Sequence, residues 1–240
     1  MDEKILALKQ MIDEASYVVF FGGAGVSTES GIPDFRSPKA GPAKYEYSFE
    51  EILSDRFFYA NPAYFWRYYF AEMVKLDAKP NDAHRALARL EETGKLKAVV
   101  TQNIDGLHQL AGSKLVYELH GTIHKNRCIK CGKKYSLGDV LKMQPLPRCS
   151  CGGLIKPDVV LYGEALDHDC IEGAVSAIER SDLLIVGGTS LTVYPAAGLI
   201  DYAGGKLALI NRDHVPCRRK PDLEINAPIG KTFAEMFSLS

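Results

Sequence analysis

The chain has 240 residues, 46% hydrophobic and 25% charged, the balance of an ordinary soluble globular protein of one or two domains. That length buries a sizeable core, which excludes a disordered tail and a disulfide-dependent miniprotein. With 29 Lys and Arg against 30 Asp and Glu, the formal charge is -1, so neither nucleic acid nor a membrane is expected as a partner.

The first residues, Met1-Asp2-Glu3-Lys4, are acidic and do not read as a secretory signal. Ile5, Leu8 and Ile12 then recur at helical spacing, and Tyr17 to Phe21 reads as a fully buried strand ending in a glycine-rich turn. From about Ser37 to Pro80 the chain is crowded with aromatic residues, which predicts a helical insertion covering a groove. A helix is expected from Asp82 to Thr93, with Gly94 placed to end it. Further short apolar strands are expected at Lys97–Thr101, Leu115–Leu119, Leu183–Gly187 and Lys206–Ile210. The uncharged run of 18 residues between Asp182 and Asp201 has nearly the length of a membrane span. Gly187, Gly188, Thr189, Ser190, Thr192 and Pro195 interrupt it, so it reads as strand, polar turn and helix start. Strands alternating with helices predict an α/β fold with a doubly wound, mostly parallel sheet, which binds ligands at the carboxyl ends of its strands.

Polar groups gather at those ends. Gly22-Gly23-Ala24-Gly25-Val26-Ser27-Thr28 follows the first strand, where backbone N–H groups cradle a pyrophosphate, although a plain tight turn would look similar. The third glycine of the usual dinucleotide fingerprint is replaced by Thr28, and no acidic residue ends a second strand about twenty residues on. A dinucleotide would therefore bind here in a manner unlike a dehydrogenase's. Pro33-Asp34-Phe35-Arg36 adds a guanidinium suited to phosphate and an aromatic ring suited to excluding water. Gln102, Asn103 and Asp105 follow the second strand and suit ribose hydroxyls or a carboxamide, or else a helix cap. His120, at the end of the third, is a candidate general base or a structurally bonded histidine. Gly188-Thr189-Ser190 and Asn211-Arg212 end the fourth and fifth strands and suit an adenosine ribose.

Four of the six cysteines cluster as Cys128-x-x-Cys131 and, after 17 residues, Cys149-x-Cys151. Paired thiolates on two turns predict a tetrahedral structural zinc site, with a Cys/His shell using His120 or His124 as the lesser alternative. Reduced, clustered cysteines without a secretion signal point to the cytoplasm. The lysines around them read as a solvated face rather than a nucleic-acid patch.

Taken together, Gly23 to Arg36, Thr101 to His108, Leu119-His120-Gly121, the four cysteines, Lys156 to Glu164, Gly188-Thr189-Ser190 and Asn211-Arg212 resemble the sirtuins of bacterial type, the NAD-dependent protein lysine deacetylases. The resemblance implies a Rossmann-like NAD-binding domain from residues 1–37, 81–124 and 154–240. It implies a small domain built from the helical insertion, 38–80, and a zinc ribbon, 125–153. Ala24, Thr28, Phe35 and Arg36 would line the NAD phosphate and ribose site. Gln102, Ile104 and Asp105 would hold the nicotinamide end, and Thr189, Ser190, Asn211, Arg212 and Ile229 the adenosine. His120 would be the general base, with Asn103 beside the reacting ribose, while Val160, Tyr162 and Gly163 would pair with an acetyl-lysine peptide by β-augmentation. The implied activity transfers acetyl from lysine to ADP-ribose, releasing nicotinamide and O-acetyl-ADP-ribose. Sirtuins selective for acidic acyl groups carry Tyr-x-x-Arg in the insertion. Counting from Asn61-Pro62, those positions are Tyr69 and Glu72, which predicts an uncharged acyl substrate. A nicotinamide-dependent oxidoreductase, a zinc-ribbon interaction module with a vestigial enzyme fold and a mono-ADP-ribosyl transferase are the rival readings.

Overall fold

A computed structural model describes residues 3–34 and 45–238. Six strands form a wholly parallel sheet: β1 (Val18–Gly22), β2 (Leu96–Thr101), β3 (Val116–Glu118), and, numbered past the small-domain strands, β7 (Leu183–Gly187), β8 (Lys206–Ile210) and β9 (Leu223–Ile225). Their order is β3-β2-β1-β7-β8-β9, so winding reverses between β1 and β7. That reversal opens a crevice at the carboxyl ends of the two central strands, where doubly wound sheets bind ligands.

Alternation along β1 sends Val18 and Phe20 to one face and Val19 and Phe21 to the other, all four fully buried. The first pair packs under α1 (Glu3–Glu14), α5 (Asp82–Glu92) and α9 (Ile229–Ser238), through residues such as Leu8, Leu87 and Phe233. The second packs under α8 (His168–Glu179) and a 3-10 stretch, Ala196–Tyr202. Asn81 caps α5, its side chain accepting from Ala83 N–H at 2.9 Å. Gly94, at φ 75°, follows α5 as the sequence predicts.

The smaller body has its own core. The aromatic stretch folds as α2 (Phe49–Ile52), α3 (Asp55–Ala60) and α4 (Pro62–Tyr68), continued by a π-helical turn at Tyr69–Met73. Across from it lies an antiparallel sheet in the order β5-β4-β6, with β4 (Gly121–Cys128), β5 (Lys134–Ser136) and β6 (Ile155–Val159). Phe58, Phe65, Trp66 and Tyr69 are fully buried against Val140 of α7 (Leu137–Leu141) and Ile155, and the Trp66 indole donates to the Ile155 carbonyl at 3.2 Å. The helical insertion and the cysteine segment thus share one core. No described helix is long and apolar enough to cross a membrane.

Candidate active site

A cleft of about 1980 Å³ lies between the two bodies at the switch point. A small-molecule pocket measures about 300–1,000 Å³, so this one has room for a dinucleotide together with a second substrate. Its floor is the glycine loop after β1. Gly25 N–H donates to the Gly188 carbonyl at 2.8 Å, and a Cβ on Gly25 would press to 2.8 Å from Gly188 Cα. Only glycine allows the loops after β1 and β7 to meet backbone to backbone, leaving Ala24 and Thr28 on the cleft wall.

Ser27, which the sequence alone did not single out, ties this loop to the one after β2. Its hydroxyl donates to Asp105 Oδ2 at 2.7 Å and accepts from Asn103 Nδ2 at 3.0 Å. Asp105 also accepts from Leu107 N–H at 2.9 Å, at the start of α6 (Leu107–Ala111). The capping contact therefore leaves Asp105 on the cleft wall, its second oxygen taken by Ser27. Gln102 crosses to the other side of the switch point, its amide donating to Thr189 Oγ1 at 3.0 Å. Thr189 and Asn211 are held by a reciprocal pair, Thr189 N–H to Asn211 Oδ1 at 3.0 Å and Asn211 Nδ2 to the Thr189 carbonyl at 2.7 Å. Ser190, Arg212 and Ile229 complete that end of the cleft. Glu29 also lines it and accepts from Gly230 N–H at 2.7 Å, which places an anion on the positive end of α9. Phe35 and Arg36 lie outside the described residues.

His120 stands where the chain leaves β3 for β4. Its Nδ1 is 2.9 Å from the Gln102 carbonyl. A carbonyl oxygen only accepts, so Nδ1 carries the proton and Nε2 keeps its lone pair. Burial pushes the ring's pKa below its ordinary value, against the opposing pull of the Gln102 carbonyl. The imidazole is therefore neutral at pH 7, with one basic nitrogen. Gly121 sits at φ 74°, and a Cβ there would run into the Asp158 carbonyl. Val160 N–H donates to the His120 carbonyl at 2.9 Å, fixing this crossing against the segment after β6. That segment carries Val160, Tyr162 and Gly163 along the cleft. It is anchored to the helical insertion by Tyr162 N–H to the Leu53 carbonyl at 2.9 Å and Asp55 N–H to the Tyr162 carbonyl at 3.0 Å.

One sequence expectation shifts by a residue. Tyr69 is buried in the small-domain core, stacked on Phe65 at 5.5 Å, and Tyr68 faces the cleft with Glu72 in its place. The π-helical turn at Tyr69–Met73 is the reason, since its wider winding swings positions three apart, Tyr69 and Glu72, off a common face while Tyr68 and Glu72, four apart, stay on one. Glu72 accepts from the Tyr45 hydroxyl at 2.6 Å.

Away from the cleft, the four cysteine sulfurs lie within 4.8 Å of one another, with Cys128–Cys151 at 3.5 Å and Cys131–Cys149 at 3.6 Å. Four sulfurs at the zinc–thiolate distance of ~2.3 Å from a tetrahedral centre stand ~3.8 Å apart, so the set fits zinc, and a disulfide at ~2.05 Å is excluded. The Cys151 backbone N–H, with the Tyr135 hydroxyl, holds the Cys149 thiol down at about 5. The tight Cys149-x-Cys151 pair is accommodated by a turn in which Gly152 N–H donates to the Cys149 carbonyl at 2.8 Å. Four thiolates leave no open position, so such a metal is structural.

Comparison with known proteins agrees along the whole chain. The sequence matches the Sir2 family over residues 23–195. A Clostridium perfringens protein named NAD-dependent protein deacetylase is 52% identical over 98% of this chain and 99% of its own. One of the same name from Clostridium acetobutylicum is 55% identical over 95% and 96%. A solved structure described as Sir2–p53 peptide–NAD+ is 39% identical with a TM-score of 0.90, over 100% of this chain and 98% of that one. Another, Sir2 bound to acetylated peptide, is 38% identical with a TM-score of 0.90 over the same shares. This chain belongs to the Sir2 family.

Proposed function

We propose that the protein is an NAD-dependent protein lysine deacetylase, which moves the acetyl group of an acetyl-lysine peptide to ADP-ribose and releases nicotinamide and O-acetyl-ADP-ribose. The observation that carries the reading is identity of 52% along nearly the full length of a relative bearing that name. The cleft supports it, because it offers a neutral histidine with a basic Nε2, and β2 runs out into Thr101-Gln102 where a hydride-transferring site places an acidic residue on the ribose. NAD supplies the activated sugar carbon that accepts the acyl oxygen.

The chain's own residues divide the work. Ala24 and Thr28, with Phe35 and Arg36, receive the phosphates and the adjoining ribose. Gln102, Ile104 and Asp105 hold the nicotinamide end, and the Ser27 bridge keeps Asn103 and Asp105 in fixed relation beside the reacting ribose. Thr189, Ser190, Asn211, Arg212 and Ile229 surround the adenosine. His120 takes a proton from a ribose hydroxyl through Nε2, while the Gln102 carbonyl steadies Nδ1–H. Val160, Tyr162 and Gly163 pair with the extended peptide. Residues 1–37, 81–124 and 154–240 make the NAD-binding domain, apart from β4 and β6, which pair in the sheet of the small domain made by 38–80 with 125–153 and held by zinc on Cys128, Cys131, Cys149 and Cys151. Four clustered thiols need a reducing compartment, and we place the enzyme in the cytoplasm on that ground.

The test is incubation with an acetyl-lysine peptide, with and without NAD, followed by mass spectrometry. One O-acetyl-ADP-ribose and one nicotinamide are expected per lysine freed. Lysine freed without NAD, or NAD left intact, refutes the assignment.

A further inference from the structure

Lys156 is among the few charged side chains buried in this protein, at 5% exposure. It lies on β6, four residues before the segment that lines the cleft with Val160, Tyr162 and Gly163. A buried ammonium is costly unless each of its three N–H groups finds an acceptor. Here Nζ meets the Pro157 carbonyl at 3.3 Å, the Val159 carbonyl at 3.0 Å and Glu164 Oε2 at 2.9 Å. The same Glu164 oxygen accepts from Leu161 N–H at 2.9 Å, and Glu164 N–H donates to the Leu161 carbonyl at 2.9 Å. One ion pair therefore reaches the backbone of positions 157, 159 and 161, while the Leu53, Asp55 and His120 anchors hold positions 160 and 162.

From this we infer that Lys156 and Glu164 are positioning residues for peptide recognition. They hold the Val160–Gly163 segment, which leaves β6 and enters the Leu161–Glu164 turn, in place before substrate arrives, so that the peptide does not have to order it. Rigidity present beforehand lowers the cost of binding, and the dinucleotide site, which is fixed within the large sheet, is left alone. The inference rests on the deacetylase reading, in which this segment receives the acetyl-lysine peptide. Neither side chain touches a reacting atom, so the effect belongs in the peptide KM.

The experiment compares wild type with Lys156→Met, Glu164→Ala and Lys156→Arg, titrating acetyl-lysine peptide and NAD separately. Zinc content and Tm are measured on each protein. The expected result is a peptide KM raised at least tenfold in Lys156→Met and Glu164→Ala, with the NAD KM within twofold of wild type. Lys156→Arg, which keeps the charge and offers several donors, should return the peptide KM to within threefold. If Lys156→Met fails to fold, Glu164→Ala against Lys156→Arg carries the comparison, since Glu164 is partly exposed. An unaltered peptide KM, or a peptide KM and NAD KM that rise together, overturns the inference. A wild type that makes no O-acetyl-ADP-ribose overturns the functional reading and this inference with it; a working wild type beside unaffected variants overturns the inference alone.

Discussion

Two histidines behind the cleft should make the protein lose stability in mild acid. His84, near the start of α5, and His108, on α6, are buried with ring centroids 4.7 Å apart. His84 Nδ1 accepts from Asn81 N–H at 3.2 Å, while neither ring nitrogen of His108 has a hydrogen-bond partner among the described residues. Burial pushes His84 from an ordinary 6.5 down to about 4, with Asp105 opposing and Arg85 assisting. Burial beside His84 pushes His108 to about 3. Above pH 6.5 both rings are neutral in the folded and the unfolded chain, and nothing is lost. Below it, the unfolded chain binds protons that the folded chain refuses, so stability falls until the folded pKa is reached. Between pH 7 and pH 5 each histidine accounts for about 2 kcal/mol, and the two for about 4 kcal/mol. That is a large part of the 5–15 kcal/mol that holds a typical domain together.

The assay is urea unfolding at pH 7 and pH 5, for wild type and for His108→Leu. An apolar side chain there breaks no hydrogen bond among the described residues, so the variant should be no less stable than wild type at pH 7. Between pH 7 and pH 5 it should lose about 2 kcal/mol less than wild type. Thiolate protonation at the cysteine site is common to both proteins and cancels in the comparison. Equal losses in the two proteins would refute the reasoning.

Three other outcomes are expected. His120→Ala should lower turnover by ~10²–10⁴ while NAD still binds by calorimetry, and near-normal turnover would remove His120 from proton transfer. Wild type should favour acetyl- over succinyl-lysine peptides, and Glu72→Arg should raise succinyl kcat/KM relative to acetyl at least tenfold; equal wild-type rates on the two would show that the carboxylate does not act on the acyl end. Metal analysis should give one zinc per chain, and Cys149→Ser should release it and lower Tm by ~10 °C or more, because the sulfur is buried in the small-domain core. Full thermal stability in the zinc-free variant would show the metal to be dispensable.

What the sequence disclosed depended on whether the signal was local. β7 and β8 are unbroken apolar runs covered on both faces, and their ends coincide with those expected from the sequence. β9 is three residues at the edge with Glu224 in its middle, too short for any periodicity. β4 and β6 carry Lys125, Arg127, Lys156, Pro157 and Asp158, a composition that hides a strand; the cysteine staple and the core shared with the helical insertion form that sheet. The residues at strand ends were legible because glycine, amide and imidazole groups are rare in buried strands. Ser27 was not, since its partners lie 76 and 78 positions away and nothing local marks them. Tyr69 was expected where Tyr68 stands, because a π turn leaves no mark in residue spacing.

The location of His120 follows from how the chain crosses between two cores. It leaves the large sheet at Leu119-His120-Gly121 and returns from the small one through Val159 to Leu166. Both crossings line the cleft, and they meet backbone to backbone at the Val160 to His120 hydrogen bond and at the close approach of Gly121 to Asp158. His120 and the Val160–Gly163 segment are therefore positioned by each other rather than by either core alone. The glycine loop and Thr189, by contrast, are fixed within the large sheet by Gly25 to Gly188 and by Asn211. Disturbance of the small body thus reaches His120 and the Val160–Gly163 segment together, while the Thr189 and Asn211 end of the cleft keeps its own support.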